Sequence, residues 1–339
     1  MSRAKAESRL TITQNFICGG LAGMFSRTVL SPLEVVRISC QIGTPETRQG
    51  AYRAFRTLYQ QQGWKAFWKG NAVACFRLPL YSVIHLFTYE NLSLKLVDEQ
   101  GRLSASTATI ACMGAAISST AVLYPTDLVM ARLIAQNADK KQARYSGMTH
   151  AIKMIWKEEG FLRLYRGLSL AVLELIPFTG VVYFTHSAID QLIDKPKSEI
   201  STEEHFARWC MSTAFAKMIV YPLHTIKRKM QASSAVLPDR GGVDVDFRGM
   251  WDAFRQTGFT GLWRGATVGL LKVVPYSVIM MLAFEYMKRP FLFYNRYTTS
   301  PWFEEFCPGV DQSLRPHELE EWYRQRANLE RRPPVLIDD

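Results

Sequence analysis

The sequence predicts an all-α membrane protein, with six transmembrane helices in three tandem pseudo-symmetric repeats and short surface helices between them. A repeated motif is the first reason: a proline opens a charged hexapeptide at residues 32–37, 125–130 and 222–227. A triplet of an aromatic residue, a basic residue and glycine follows each hexapeptide, at residues 68–70, 165–167 and 263–265. The second reason is that each repeat holds two apolar stretches long enough to cross a bilayer.

The six predicted spans are rich in small and apolar residues and run over 13–41, 72–97, 106–136, 168–193, 205–232 and 266–292. Charged residues interrupt them, and because charges are costly in lipid we expect these to face the protein interior or a wet cavity. A proline within a span is expected to kink it. The repeats extend over 13–98, 104–194 and 203–293, and a polar C-terminal tail occupies 294–339.

A short amphipathic stretch lies between the two spans of each repeat, at 52–62, 148–159 and 250–256. Apolar residues recur there at helical spacing, so we expect a helix that lies on the membrane surface. Gly63, Gly160 and Gly258 follow these stretches, as expected where a helix ends in a residue of positive φ.

Composition and motifs exclude several classes of protein. The net charge of +11 suits nucleic acid, an anionic membrane surface or an anionic ligand. No nucleic-acid-binding motif accompanies it, so we expect no nucleic-acid partner. The six cysteines show no metal-binding spacing, so we expect free thiols, no metal and no cofactor. The chain has no Gly-rich phosphate loop, no HExxH motif and no Ser/His/Asp grouping, which argues against an enzyme.

Three copies of Pro-x-acid-x-x-base, each followed by the aromatic-base-Gly triplet, make residues 13–292 similar to the mitochondrial carrier family. The resemblance implies a multi-pass protein of the mitochondrial inner membrane that moves a small metabolite through one central site. A gate on each side of that site would open in turn, and we expect a monomer. The alternative is a protein that keeps the carrier fold but has lost transport and acts by binding or regulation.

The resemblance implies a matrix gate in which the acid of each hexapeptide pairs with the base of the next. Its residues here would be Glu34, Arg37, Asp127, Lys227 and His224, with Gln41 and Gln231 at the position of a bracing glutamine. Only Asp127 with Lys227 would be a salt bridge, because Met130 faces Glu34 and His224 faces Arg37. We therefore expect a weak matrix gate.

The cytoplasmic gate implied by the family retains Glu90, Glu285 and Lys288 and has no complete pair. By symmetry Glu90 would face Asp190, which is another acid. Drift at tolerant positions and a functional change in gating both remain open explanations.

Comparison of equivalent positions in the repeats predicts a substrate site near the middle of the membrane, formed by Arg27, Arg77, Glu174, Lys217 and Lys272. Four cations and one acid at this level do not suit core packing. A basic funnel attracts anions, so we expect an anionic metabolite, phosphorylated or polycarboxylate. The resemblance is to the branch of the family that carries adenine nucleotides or coenzyme A. Glu174 keeps two alternatives open, because it suits an amino-bearing zwitterion or simple neutralisation of Arg77 or Lys272.

The triplets have a further interpretation as lipid sites, formed by Trp68, Lys69, Gly70, Tyr165, Arg166, Gly167, Trp263, Arg264 and Gly265. A basic side chain beside a helix amino end binds phosphate, and in the family such sites hold cardiolipin. Interfacial anchoring by the aromatic rings is the alternative. The C-terminal tail is interpreted as a solvated segment with one short helix, with a partner-binding segment as the alternative.

Overall fold

The computed structural model describes residues 9–42, 50–97, 104–136, 145–193, 202–233, 250–303 and 305–330. These residues fold almost entirely into helices. Their one extended pairing is an isolated bridge between Thr298 and Phe306. The all-α class predicted from the sequence is confirmed.

The α-helices in chain order are α1 (Ile12–Val29), α2 (Ser31–Ile42), α3 (Ala51–Gln62), α4 (Asn71–Leu96), α5 (Ala105–Ala135), α6 (Met148–Glu159), α7 (Leu168–Ile193), α8 (Thr202–Ala232), α9 (Met250–Leu262), α10 (Ala266–Leu271), α11 (Val273–Tyr294) and α12 (Pro316–Glu330). A short 3₁₀ helix precedes α4 and another precedes α7, at Trp64–Trp68 and Phe161–Tyr165.

Most of the predicted spans are recognisable by length and apolar composition. Four stretches are long and apolar enough to cross a membrane: Trp64–Leu96, Ser106–Ala135, Phe161–Ile193 and Ala266–Tyr294. The pair α1 and α2 passes the same test as a span with a bend of 63°. Helix α8 is less apolar, but its 31 residues extend over about 46 Å, which exceeds the hydrocarbon thickness of a bilayer.

The three motif prolines have different effects on their helices. Pro32 lies at the start of α2, directly after the 63° bend, where its missing N–H costs no helical hydrogen bond. Pro125 and Pro222 lie inside the continuous helices α5 and α8. Only the first repeat therefore has its motif proline at a break between two described helices.

The amphipathic stretches form the helices α3, α6 and α9, as predicted. The glycines expected at their ends have positive φ values, 69° at Gly63, 89° at Gly160 and 67° at Gly258. Gly258 interrupts α9 rather than ending it.

The chain divides into two compact units, residues 27–277 as the larger one, and residues 1–26 with 278–339 as the smaller one. In the larger unit, an apolar core forms where α2 and α5 pack with the surface helices α3 and α6. Phe67, Tyr124 and Ile155 are among its most deeply buried members.

In the smaller unit, the end of α11 and the segment after it form their own apolar core. Leu292, Tyr297 and Leu319 are buried there together with Leu10. The Arg9 guanidinium lies over the Tyr297 ring, 5.7 Å from its centroid. Burial raises the pKa of Tyr297 to about 12, so its hydroxyl stays protonated and donates to a backbone carbonyl.

In the described part of the predicted tail, which ends at residue 330, most side chains are exposed or half-buried, but Tyr297 and Leu319 are buried. A few apolar side chains of the segment are buried against one another, and this burial offsets the conformational entropy lost when the segment becomes ordered. The single helix that was expected is present as α12. Residues 331–339 lie outside the described residues.

Candidate functional site

A cavity of about 470 Å³, with many charged side chains in its wall, lies in the larger unit. Its charged and imidazole side chains are Arg27, Glu34, Arg37, Arg77, Asp127, Glu174, Lys217, His224, Lys227, Arg228 and Lys272. Seven cations face three carboxylates, so four positive charges are in excess when the imidazole is counted as neutral. The volume falls within the range of small-molecule sites in proteins.

The three carboxylates each hold cations from neighbouring helices, and the first is Glu34 on α2. Its Oε2 atom accepts a hydrogen bond from Lys272 Nζ at 2.6 Å. Its Oε1 atom lies 3.3 Å from Arg27 Nη1, and Arg37 Nη1 is 3.7 Å from Oε2. One buried carboxylate is thus shared by three cations.

Asp127 on α5 is the centre of the second cluster. Its Oδ1 atom accepts from Arg77 Nη1 at 3.3 Å and from Arg228 Nη1 at 3.2 Å. Gln231 donates to Oδ2 at 3.0 Å and accepts from Arg228 at 2.8 Å. The cluster joins α4, α5 and α8.

Glu174 on α7 forms the third cluster, and both of its carboxylate oxygens are engaged. Lys227 Nζ donates to Oε2 at 2.5 Å. His224 Nδ1 lies 2.7 Å from Oε1, which makes that nitrogen the donor when the carboxylate is ionised. This cluster joins α7 to α8.

Lys217 on α8 lines the same cavity but forms no ion pair with any residue that the structure describes. Arg37 lies nearby along the wall, with its guanidinium 5.7 Å from the centroid of the Tyr221 ring. Gly269 leaves room for Arg37, because a Cβ atom there would lie 3.2 Å from Nε. The region around Lys217 is therefore the part of the wall where positive charge is least neutralised.

The structure brings the five sequence-predicted substrate residues, Arg27, Arg77, Glu174, Lys217 and Lys272, to this one cavity. The charged residues and the histidine expected in the matrix gate line it as well. Of the two expected bracing glutamines, Gln231 contacts Asp127, and Gln41 is fully buried.

The ion contacts differ from those expected of the matrix gate. Asp127 binds Arg228 and Arg77 instead of Lys227, and His224 contacts Glu174 instead of Arg37. Lys227 and Arg228 are adjacent on α8, so their side chains point about 100° apart around the helix. Arg228 reaches Asp127 on α5, whereas Lys227 reaches Glu174 on α7.

The residues expected in the cytoplasmic gate are not brought together as pairs across repeats within either unit. Glu285 and Lys288 pair with each other along α11 at 2.5 Å. Glu90 is exposed on α4. Asp190, its expected neighbour, pairs at 2.9 Å with the buried Arg208, a partner that sequence symmetry did not indicate.

The first triplet borders a second cavity of about 390 Å³. Lys69 Nζ donates to Gln62 Oε1 at 2.7 Å and to the Gln136 carbonyl at 3.2 Å. Trp68 Nε1 donates to the Thr28 carbonyl at 3.1 Å. The basic residue and the tryptophan are therefore tied to the protein while the cavity beside them stays open.

The other two triplets dock against the residue that precedes each motif proline. Tyr124 donates to the Arg166 carbonyl at 2.8 Å, and Tyr221 donates to the Arg264 carbonyl at 2.9 Å. The rings of Tyr165 and Trp263 stack on these two tyrosines. The glycines of both triplets, Gly167 and Gly265, have positive φ.

Sequence reasoning missed three buried arginines. Arg228 lies one residue beyond the motif base, and Arg208 lies near the start of α8. Arg132 donates to both oxygens of Glu159, at 2.5 and 2.8 Å. The signal for Arg132 was its position two residues after the second hexapeptide, next to α6, which ends in an acid.

Helices of spanning length and a charged cavity in the same chain are features of a multi-pass membrane transporter. The sequence profile of the mitochondrial carrier protein family matches residues 8–100, 101–197 and 198–295. The chain belongs to the mitochondrial carrier family, whose members are transporters of the mitochondrial inner membrane and not enzymes.

Two relatives align with nearly the whole chain, including most of the tail, and a third aligns with less of it. Solute carrier family 25 member 43 of Danio rerio is 42% identical over 97% of this chain and 96% of its own length. The Mus musculus protein of the same name is 40% identical over 98% of this chain and 100% of its own. The mitochondrial adenine nucleotide transporter ADNT1 of Arabidopsis thaliana is 28% identical over 82% of this chain and 87% of its own.

Proposed function

We propose that this carrier moves an anionic metabolite that resembles a nucleotide or coenzyme A, by alternating access through the 470 Å³ cavity. The observation that carries the proposal is the charge of the wall, where seven cations face only three carboxylates. Each carboxylate already contacts cations of the protein itself. An entering anion therefore meets a field that the protein has not cancelled.

Lys217 and Arg37 offer the first contacts for that anion. Lys217 has no ion pair among the described residues, and Arg37 is only loosely held, at 3.7 Å from Glu34. A guanidinium grips phosphate or carboxylate in a planar two-pronged manner, while an ammonium acts as a point charge. The two together suit a phosphate group.

Aromatic rings in the same wall favour a ligand that also has a planar or apolar part. Tyr81, Phe178, Tyr221 and Tyr276 line the cavity beside the cations. Such rings pack against a heterocyclic base, and a cavity of this volume holds a nucleotide-sized ligand. The adenine nucleotide transporter among the relatives supports the same substrate class.

The contacts of Glu174 argue against an amino-bearing zwitterion. Both carboxylate oxygens of Glu174 already accept from side chains of the protein, Lys227 and His224, so a substrate amine would have to compete with them. Arg77 and Lys272 have carboxylate partners of their own, so Glu174 does not serve to neutralise them.

The test is exchange in liposomes that contain the purified protein, screened with labelled nucleotides, coenzyme A, carboxylates and amino acids. We expect saturable uptake of a phosphate-bearing anion, and a large loss of that uptake in Lys217→Gln. Lys153→Gln is the matched control, because it removes the same charge from the exposed surface of α6. Uptake of amino acids alone would overturn the substrate class. Folded protein that takes up none of these compounds would favour the binding or regulatory alternative.

We also propose that the 390 Å³ cavity binds an anionic phospholipid such as cardiolipin. Lys69 and the amino ends of α4 and α6 supply positive potential there. Val73, Phe76 and Leu133 line the rest of it, as acyl chains require.

Cardiolipin is expected to raise the melting temperature in detergent, and Lys69→Gln should reduce that rise. Lys65→Gln, at an exposed site in the same turn, is the control, and equal responses would contradict the proposal.

A further inference from the structure

The three ion clusters of the cavity share one geometry. In each, the third residue of a hexapeptide contacts a residue in the first third of the second span of another repeat. Glu34 contacts Lys272 at 2.6 Å. Asp127 contacts Arg77 at 3.3 Å, and the third contact, between His224 and Glu174, is 2.7 Å.

The third contact has the opposite polarity from the other two. In the first two, the hexapeptide supplies the carboxylate and the neighbouring span supplies the cation. In the third, the hexapeptide supplies an imidazole and the neighbouring span supplies the carboxylate of Glu174. An acid at position 224 would stand against Glu174, and two ionised carboxylates at hydrogen-bonding distance repel each other.

Lys227 departs from the family pattern at the same place, because it also contacts Glu174. In the family pattern the base of the third hexapeptide pairs with the acid of the second. Here that base, Lys227, pairs with Glu174 at 2.5 Å, and Arg228 takes the contact to Asp127. Glu174 thus contacts two residues of the third hexapeptide: His224, which stands in the position of the acid, and Lys227, which is the base.

From these contacts we infer that Glu174 is the missing acid of the third hexapeptide, moved to the neighbouring span. Its role is to position α7 against α8. It is not a ligand of the substrate. The departures at 174 and 224 are one exchange of charge between two touching residues. The inference rests on the proposed function only where it denies Glu174 a contact with substrate, because that part requires a carrier that transports.

The first experiment compares Glu174→Gln, His224→Glu and the double variant His224→Glu/Glu174→Lys, which restores the polarity of the other two clusters. The melting temperature in detergent needs no substrate. We expect both single variants to lower it, His224→Glu more because it places two acids together. The double variant should recover part of the loss, because the new acid at 224 can pair both with the new lysine at 174 and with Lys227, one turn along α8. Glu320→Gln removes an exposed carboxylate from α12 and should have no effect. A double variant that is no more stable than His224→Glu would overturn the inference that the charges at 174 and 224 have traded places.

The second experiment separates positioning from substrate contact and uses adenosine diphosphate as the probe in liposome exchange. For Glu174→Gln we expect turnover to fall about tenfold while KM changes less than about threefold. The double variant should regain turnover. A rise in KM of about tenfold or more, with no recovery in the double variant, would make Glu174 a substrate ligand. If the wild-type protein transports nothing in liposomes, the proposed function fails. The melting temperatures alone then decide whether Glu174 and His224 have traded charges.

Discussion

Removal of Arg132 should destabilise the protein strongly, because it takes a buried cation away from the buried carboxylate of Glu159. The Arg132 guanidinium donates to both oxygens of Glu159, and the two side chains are only 3% and 1% exposed. It also donates to the carbonyls of Gln231 and Ser233 at 3.2 and 3.4 Å. One side chain thereby joins α5 to α6 and to the end of α8.

The magnitude follows from this burial. Breaking a buried pair from one side costs about 3–5 kcal/mol, most of it the cost of the uncompensated charge. For Arg132→Met we therefore expect a loss of about 3–5 kcal/mol, which lowers the melting temperature by about 4–7 °C in a protein of this size. The double variant Arg132→Met/Glu159→Met removes both charges, so it should be more stable than the single variant.

The assay is thermal unfolding of the purified protein in detergent, followed by intrinsic fluorescence. Arg56→Met, at an exposed position of the equivalent surface helix α3, is the matched control and should change the melting temperature little. The reasoning is refuted if Arg132→Met behaves like the control. It is also refuted if the double variant is no more stable than the single one, because loss of the cation beside Glu159 would then carry none of the cost.

Two further changes test packing at close range. Gly265→Ala should cost about 1–3 kcal/mol, because residue 265 has a φ of 79° and a Cβ atom would lie 3.1 Å from the Tyr221 hydroxyl. Gly180→Ala, within α7 and with open space around it, should be neutral or slightly stabilising in the same melting experiment. Leu292→Ala should cost about 2–5 kcal/mol within the smaller unit. Limited proteolysis should then cut near Tyr297, and unchanged protease resistance would contradict the assigned core.

The period of the repeat allowed most of the fold and the members of the cavity to be predicted. Equivalent positions in three repeats lie at equivalent heights, so Arg27 and Lys217, each five residues before a motif proline, reach the same cavity. Composition contributed less, since the charges of α8 make that span look polar. The surface helices were predictable because amphipathic spacing and a following glycine mark them locally.

The contacts among those residues were not predictable by the same route. Symmetry assigns one partner to each charge, but Glu34 holds three cations, and Arg228 takes the place expected of Lys227. Which of two adjacent bases reaches an acid depends on helix rotation by a fraction of a turn, and a sequence motif does not encode that. The core formed by Leu292 and Tyr297 was missed because its apolar residues are sparse and follow no helical period.

Under the proposed function, the same contacts explain how binding of an anion opens the protein. Lys272 and Arg77 are the cations of the middle level, and each is held by a hexapeptide acid. A phosphate that binds these cations competes with Glu34 and Asp127, so it weakens the contacts that hold the spans together. Converting a closed state populated at about 99% to an open one takes about 5.5 kcal/mol of differential binding. Two or three charge-assisted hydrogen bonds at about 1.5–3 kcal/mol each supply that amount. Lys217, which loses no protein partner on binding, attracts the anion without opening the gate, so attraction and opening belong to different cations.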